Sequence, residues 1–131
     1  MLLSLASALL SLGPALGPVP AQGLDARLTA YRWEARPILI FATADDPRLA
    51  EQLSRFSEAT AALLDRDNVV IVDTTGDSAI ANRFRPTGFT VILVGKDGGE
   101  KLRHTRVVAP AELNALIDTM PMRRSEMRED G

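Results

Sequence analysis

Apolar and charged residues fall into separate blocks along the chain, and these blocks predict its secondary structure. Continuous apolar runs at 37–42, 69–72 and 89–94 predict strands that are covered on both faces of a sheet. A fourth strand is expected at 101–107, because the turn-forming sequence Lys96-Asp-Gly-Gly99 joins it to the third strand as a hairpin. The strands therefore form the buried centre of a small domain.

Between these strands, apolar residues recur at helical spacing. The pattern predicts four helices, at residues 25–33, 47–65, 77–84 and 110–120. Asp46 and Pro47 are typical of a helix start, and Pro121 is expected to end the last helix. Residues 122–131 contain many charges and few apolar side chains, so we expect them to form a charged flexible tail.

The order of these elements leaves few compact arrangements. Two strand–helix units precede the hairpin and the final helix, and the short link after the long helix requires a parallel, right-handed crossover. A thioredoxin-like α/β fold satisfies these constraints, with a four-stranded mixed sheet in the order 4-3-1-2 and helices on both faces. We expect one such domain at residues 22–121.

The first 21 residues carry no charged side chain. An apolar run at 2–12 is followed by Val19-Pro20-Ala21, whose small or aliphatic residues are typical of a signal-peptidase site. We therefore expect a signal peptide at residues 1–21, cleaved between Ala21 and Gln22, and a periplasmic or secreted protein. A membrane anchor is the alternative, although glycines and prolines interrupt this stretch.

Composition excludes several classes of chemistry. The chain has no cysteine, so it has no disulfide, thiol nucleophile or thiolate metal site. Its single histidine excludes a histidine cluster for zinc. A formal net charge of −2 argues against a nucleic-acid partner. We expect no cofactor, no stable membrane insertion after signal cleavage, and an envelope protein as the partner.

The carboxyl ends of the two parallel strands are the expected position of a functional site. Open α/β sheets bind ligands at this edge, and polar side chains follow both strands here. Four aspartates at the edge could hold a hard cation, although Asp46 and Asp77 also suit helix caps. The complete candidate binding edge is Thr43, Asp45, Asp46, Asp73, Asp77 and Phe89.

Two further features carry weaker signals. The lone His104 lies on the fourth strand and is expected to be a hydrogen-bonded surface residue. The second feature is a group of arginines, expected to form a solvated charged face or, alternatively, to hold an anionic ligand: Arg83, Arg85, Arg103 and Arg106.

Several motifs resemble a family of cysteine-free, thioredoxin-like domains of unknown function in bacterial exported proteins. They are Tyr31-Arg-Trp33 before the Arg36–Phe41 strand, Asp46-Pro-Arg-Leu49, the hairpin from Gly88 to Gly99, and Met120-Pro-Met-Arg-Arg124. DUDES-type domains of animal matrix proteins are related to this family, and its fold is similar to that of peroxiredoxins. The resemblance implies a fold and an export route, with no established activity.

The same resemblance shows what redox relatives have and this chain lacks. Thr43-x-x-Asp46 has the spacing of the peroxiredoxin Thr-x-x-Cys motif, with a carboxylate in place of the thiol. Phe89 stands where redox thioredoxins carry a proline before the third strand. We therefore expect a non-redox binding or accessory module. The alternative is a metal-assisted enzyme or cation-binding protein that uses the acidic edge.

Overall fold

The computed structural model of the chain describes residues 17–130, which form one mixed sheet with helices on both faces. The strands are β1 (Val19–Pro20), β2 (Arg36–Phe41), β3 (Asn68–Asp73), β4 (Thr90–Val94) and β5 (Glu100–His104). The helices are α1 (Pro47–Glu58), α2 (Thr60–Asp65), α3 (Ala79–Phe84), α4 (Pro110–Ile117) and α5 (Pro121–Asp130). Within the described range, no helix is long and apolar enough to cross a membrane.

The sheet has the order β1-β3-β2-β4-β5. β2 pairs in parallel with β3, with Leu39 opposite Ile71, and antiparallel with β4, with Leu39 opposite Ile92. β4 and β5 form the antiparallel hairpin. The four predicted strands therefore lie in the predicted order, but the four-stranded description is wrong by one strand, because β1 adds a fifth at the edge.

β1 lies within the segment that the sequence predicts to be a leader. Val19 pairs with Ile71 and Pro20 with Val72, and the backbone N–H of Ala21 donates to the Val72 carbonyl at 2.9 Å. Ala21 itself is buried against the sheet. Proline is tolerated in this strand because β1 is at the edge of the sheet. Residues 1–16 of the predicted signal peptide lie outside the described residues.

Each face of the sheet carries its own hydrophobic core. Ile38 and Ile40 point to one face, where they pack with apolar residues of α1, α2 and α4. Leu39 points to the opposite face, where it packs with residues of α3 and with Ala21. Because both faces are covered, β2 and β4 are buried at every position, which explains their continuous apolar sequences. Helices therefore cover both faces of the sheet, as predicted.

The structure corrects all four predicted helices, the last of which ends at Ile117 rather than at residue 120. Residues 25–33 form a series of turns, because Leu28 and Trp33 adopt positive φ values of 55° and 68° that no α-helix continues through. The long helix divides at Ala59, whose φ of −109° separates α1 from α2. α3 begins at Ala79, and its N-cap is Ser78, whose hydroxyl accepts from the Ala81 N–H.

The predicted flexible tail is instead the helix α5. It has little apolar content, but ion pairs hold it against the rest of the domain. The guanidinium of Arg36, which is 1% exposed, donates to both carboxylate oxygens of Glu126 at 3.2 and 3.1 Å. Arg123 is also buried and donates to Asp65 at 2.7 Å and to Asp118 at 3.1 Å. Buried charge thus positions α5.

Candidate functional site

A cavity of about 410 Å³ lies at the carboxyl ends of β2 and β3. We call it the strand-end cavity. Its walls come from the end of β2 with the start of α1, from the loop after β3, and from the segment before β4. The residues that line it are Phe41, Ala42, Thr43, Asp46, Arg48, Asp73, Thr74, Thr75, Gly76, Pro86, Gly88 and Phe89.

Asp46 and Arg48 form a hydrogen-bonded pair on the rim of this cavity. The Asp46 carboxylate caps α1 by accepting from the Arg48 backbone N–H at 2.9 Å. The same carboxylate accepts from the Arg48 guanidinium, from Nε at 3.1 Å and from Nη2 at 2.8 Å. The hydrogen bond from this guanidinium lowers the pKa of Asp46 below its usual range. Asp46 is therefore an ionised helix cap, as predicted for its capping role.

Arg48 also lies against the aromatic ring of Phe89. Its guanidinium carbon is 4.9 Å from the ring centroid, a distance at which cation–π attraction operates. Phe89 is 2% exposed, whereas half of the Arg48 side chain is exposed. The arginine is thus held by a carboxylate on one side and by a ring on the other. It presents an oriented positive group above an apolar floor.

Asp73 organises the loop that forms the opposite wall. Its carboxylate accepts from the backbone N–H groups of Thr75 at 2.9 Å and Gly76 at 2.8 Å, and from the Ser78 hydroxyl at 2.5 Å. Burial tends to raise the pKa of Asp73, but the hydrogen bonds from Ser78, Gly76 and Thr75 outweigh it and lower the pKa. The oxygens of Asp73 are thus used inside the loop and give it a fixed shape.

The structure brings together four of the six predicted site residues. Thr43, Asp46, Asp73 and Phe89 line the strand-end cavity. Asp45 and Asp77 are exposed and do not line it. Asp77 accepts instead from the Thr75 hydroxyl and, at 3.5 Å, from the Gln22 side chain.

The four aspartates of the predicted acidic edge therefore do not all line one cavity. In residues 17–130, no three acidic or histidine side chains come together in a way that could hold a metal ion. The two aspartates that do line the cavity are already engaged, one with Arg48 and the other with its own loop. This geometry gives the cation-binding alternative no support from the described part of the chain.

Arg48 is the site residue that sequence reasoning misses. The sequence feature that indicates it is its position two residues after the Asp46 cap, because a long side chain there can fold back onto the cap. Within the predicted arginine group, Arg103 and Arg106 belong to a solvated charged face. Arg103 pairs with Glu100 and Arg106 with Glu112, on and beside β5. His104 contacts Glu112 at 2.7 Å, as expected of a hydrogen-bonded surface residue.

Comparison with solved structures supports the predicted fold. The chain is similar to a reduced 2-Cys peroxiredoxin from Plasmodium vivax, with a TM-score of 0.59 and 11% sequence identity. The superposition covers 75% of this chain and 84% of the peroxiredoxin. At this identity, the likeness concerns the thioredoxin-like fold alone.

Comparison with other sequences identifies a family. No curated protein matches the chain. The model of a family described as a domain of unknown function, DUF4174, matches residues 27–126. This range begins after β1 and includes all the residues that line the strand-end cavity, as well as the first residues of α5. The chain therefore belongs to the DUF4174 family.

Proposed function

We propose that this protein is an exported, non-redox binding module whose ligand site is the strand-end cavity. The observation that carries the proposal is the oriented guanidinium of Arg48, which lies between Asp46 and the ring of Phe89 above an apolar floor. A half-exposed arginine that is fixed in this way loses little conformational freedom when it meets a ligand. Preorganised polar groups at the rim of an apolar cavity are typical of binding sites.

The ligand that fits this cavity best is a peptide segment of a partner protein. The volume, about 410 Å³, suits one or two inserted side chains, and Phe41 and Phe89 provide apolar contact. Asp46 already compensates the charge of Arg48, so the matching group is a neutral acceptor more than a strong anion. A backbone carbonyl is such an acceptor. We therefore propose an extended peptide of an envelope protein as the ligand.

Thiol chemistry is excluded from this proposal. Disulfide exchange and peroxide reduction by thioredoxin-like proteins require a thiolate, and the chain contains no cysteine. At the corresponding helix start, Asp46 occupies the cap. We expect the purified protein to reduce insulin disulfides and hydrogen peroxide no faster than a buffer control does. Turnover above that level would contradict the non-redox proposal.

Export remains part of the proposal, with one change to the predicted cleavage. A cut between Ala21 and Gln22 would remove β1 and the buried Ala21 from the sheet. The sequence Gly13-Pro14-Ala15 follows the apolar run directly. Gly13 and Ala15 are small residues at the two positions that signal peptidase recognises before its cleavage site. We propose that cleavage follows Ala15. The intact mass of periplasmic protein is then expected to correspond to a chain that begins at Leu16. A chain that begins at Gln22 would contradict the proposed cleavage position, and a soluble chain that begins at Met1 would contradict export.

The binding proposal is tested by two arginines of the same helix. Arg48 and Arg55 both lie on α1, are about equally exposed, and each pairs with a neighbouring carboxylate. Only Arg48 lines the cavity. We expect Arg48→Ala to reduce partner recovery from periplasmic extract at least tenfold, while Arg55→Ala leaves recovery unchanged and both variants remain folded. Equal recovery by the two variants would reject the strand-end cavity as the binding site.

A further inference from the structure

A second cavity, of about 430 Å³, lies at the opposite end of the sheet and is lined by three arginines. It is formed where the turns at residues 25–34 meet the end of α3 and the turn of the β4–β5 hairpin. We call it the arginine cavity. The residues that line it are Arg27, Arg32, Arg83, Asp97, Gly98 and Gly99.

Arg83 is fixed at the centre of this cavity. Its guanidinium donates to the Ala26 carbonyl at 2.9 Å and to the Gly98 carbonyl at 2.6 Å. The guanidinium carbon also lies 4.3 Å from the ring centroid of Phe84. None of these partners is a carboxylate, so the contacts orient the guanidinium without pairing it directly with an anion.

The side chain of Arg32 lies against the hairpin turn at Gly98. A Cβ atom at Gly98 would lie 3.4 Å from Nε of Arg32, and the φ of +88° at this position also favours glycine. The glycine is thus favoured by the backbone conformation of the turn, and the arginine stem packs beside it. Arg32 is exposed at this position.

No carboxylate of the described residues forms a direct ion pair with the arginines of this cavity, although the positive charge of Arg83 contributes to lowering the pKa of Glu100 after the Arg103 hydrogen bond. Among residues 17–130, the ion pairs include neither Arg27, Arg32 nor Arg83. Asp97, the acidic residue of the lining, accepts from the Gly99 N–H and from Nζ of Lys101, each at 2.9 Å.

The nearby Asp25 forms its hydrogen bonds within its own turn. Its carboxylate accepts from the side chain and backbone of Thr29 and from the backbone N–H of Arg27. A chain whose net charge is −2 thus brings three guanidinium groups, none of them in a direct ion pair within residues 17–130, to one cavity that holds a single lining carboxylate, Asp97. This concentration of positive charge is local, so it is compatible with the acidic character of the whole chain.

We propose that the arginine cavity binds a small multivalent oxyanion that carries phosphate groups. Guanidinium groups match phosphate oxygens through paired hydrogen bonds, and three of them favour a multivalent anion over a single carboxylate. The cavity volume accommodates a diphosphate with part of the molecule to which it is attached. The same chemistry is offered by a soluble phosphorylated compound and by a phospholipid headgroup.

The site is independent of the proposed peptide-binding function. It lies beside the turn at Gly95–Gly99, whereas the strand-end cavity adjoins the first residue of β4, Thr90, at the other end of that strand. The single tryptophan, Trp33, reports on the arginine cavity, because the Arg32 guanidinium lies 5.8 Å from its ring centroid. Arg48→Ala is therefore expected to leave this site unchanged.

The test titrates the full chain with inorganic pyrophosphate at constant ionic strength and follows Trp33 fluorescence and calorimetric heat. We expect saturable binding at submillimolar concentration. Arg27→Gln should weaken it about tenfold, the loss of one charged hydrogen bond. The matched control is Arg124→Gln, which removes the same charge from an exposed position on α5 and should leave the affinity unchanged. Equal weakening by both variants would overturn the proposal.

A second arm separates the two sources of phosphate. Vesicles of phosphatidylcholine with and without phosphatidylglycerol are sedimented with the protein. Sedimentation that requires phosphatidylglycerol and is lost in Arg27→Gln identifies a lipid headgroup. Pyrophosphate binding without sedimentation identifies a soluble compound. If neither probe binds the unmodified protein, the arginine cavity is not an anion site.

Discussion

The two ends of the β-sheet use charged side chains in opposite ways. At the strand-end cavity the polar contacts are local: Asp46 binds Arg48 two residues away, and Asp73 binds Ser78 five residues away. At the other end, Arg36 pairs with Glu126 across 90 residues of sequence. Local contacts shape loops around an open cavity, whereas long-range contacts fasten one element of the fold to another.

The long-range contacts form what we call the α5 clamp, which comprises Arg36, Lys96, Asp67 and Glu126. Nζ of Lys96 donates to Asp67 at 2.7 Å and to Glu126 at 2.8 Å. Burial tends to raise the pKa of Glu126, but the hydrogen bonds from Arg36 and Lys96 outweigh it and lower the pKa. The comparison teaches that contacts distant in sequence hold α5 on the domain, whereas contacts between near neighbours shape the strand-end cavity.

The largest effect is expected from breaking the clamp. Glu126→Gln leaves the buried Arg36 without a counter-charge, and removing one partner of a buried ion pair typically costs about 3 kcal/mol. The matched control is Glu129→Gln, an exposed position on the same helix, for which we expect at most about 0.5 kcal/mol. Urea unfolding measures both free energies. Equal midpoints for the two variants would show that the clamp adds nothing to stability.

The clamp also predicts how stability depends on pH. The folded pKa of Glu126 lies below its ordinary value of 4.5, so its stabilisation is complete above that pH and is lost as the pH falls through the folded pKa. Asp118, whose pKa is lowered first by Arg66, acts in the same direction. We expect the unfolding free energy to decline below about pH 4.5, and less steeply in Glu126→Gln. A parallel decline in both proteins would contradict this assignment.

A smaller effect is expected at the open end, from the loop after β3. Asp73→Ala leaves the N–H groups of Thr75 and Gly76 and the Ser78 hydroxyl without their acceptor, at a cost of about 2 kcal/mol. Asp77→Ala is the control, because Asp77 is exposed and lies outside the cavity lining. In thermal unfolding, the melting temperature of Asp73→Ala should lie well below that of the control. If the order is reversed, Asp77 organises the loop.

The smallest effect is expected at the helix cap. Asp46→Ala removes the cap of α1 and should cost about 1 kcal/mol. Asp45→Ala, at the exposed neighbouring position, should cost almost nothing. Chemical unfolding compares the two. A cost well above 2 kcal/mol for Asp46→Ala would mean that the residue does more than cap the helix and hold Arg48.

Local patterns explain what the sequence predicts well. The apolar runs identify β2, β3 and β4 because each of these strands is covered on both faces. The cap at Asp46 follows from a residue and its immediate neighbours. Four of the six candidate site residues line the cavity because parallel strands end at the same edge.

Long-range contacts explain what the sequence does not predict. α5 has a mostly polar sequence, and its stability depends on partners such as Arg36 that are distant along the chain. β1 has two residues and therefore no periodicity to detect. The arginine cavity joins Arg27 and Arg83, whose proximity becomes visible only once the turns and α3 are placed.

The central claim, that the open end of the sheet is where this protein binds a partner, is tested most directly by site-specific photo-crosslinking in periplasm. A benzoylphenylalanine is placed at Thr43, on the exposed rim of the strand-end cavity, or at Thr119, an exposed threonine outside that cavity. We predict one dominant cross-linked partner from position 43, lost on adding Arg48→Ala and absent from position 119. The same product from position 119, or a product from position 43 that Arg48→Ala does not diminish, would contradict the claim.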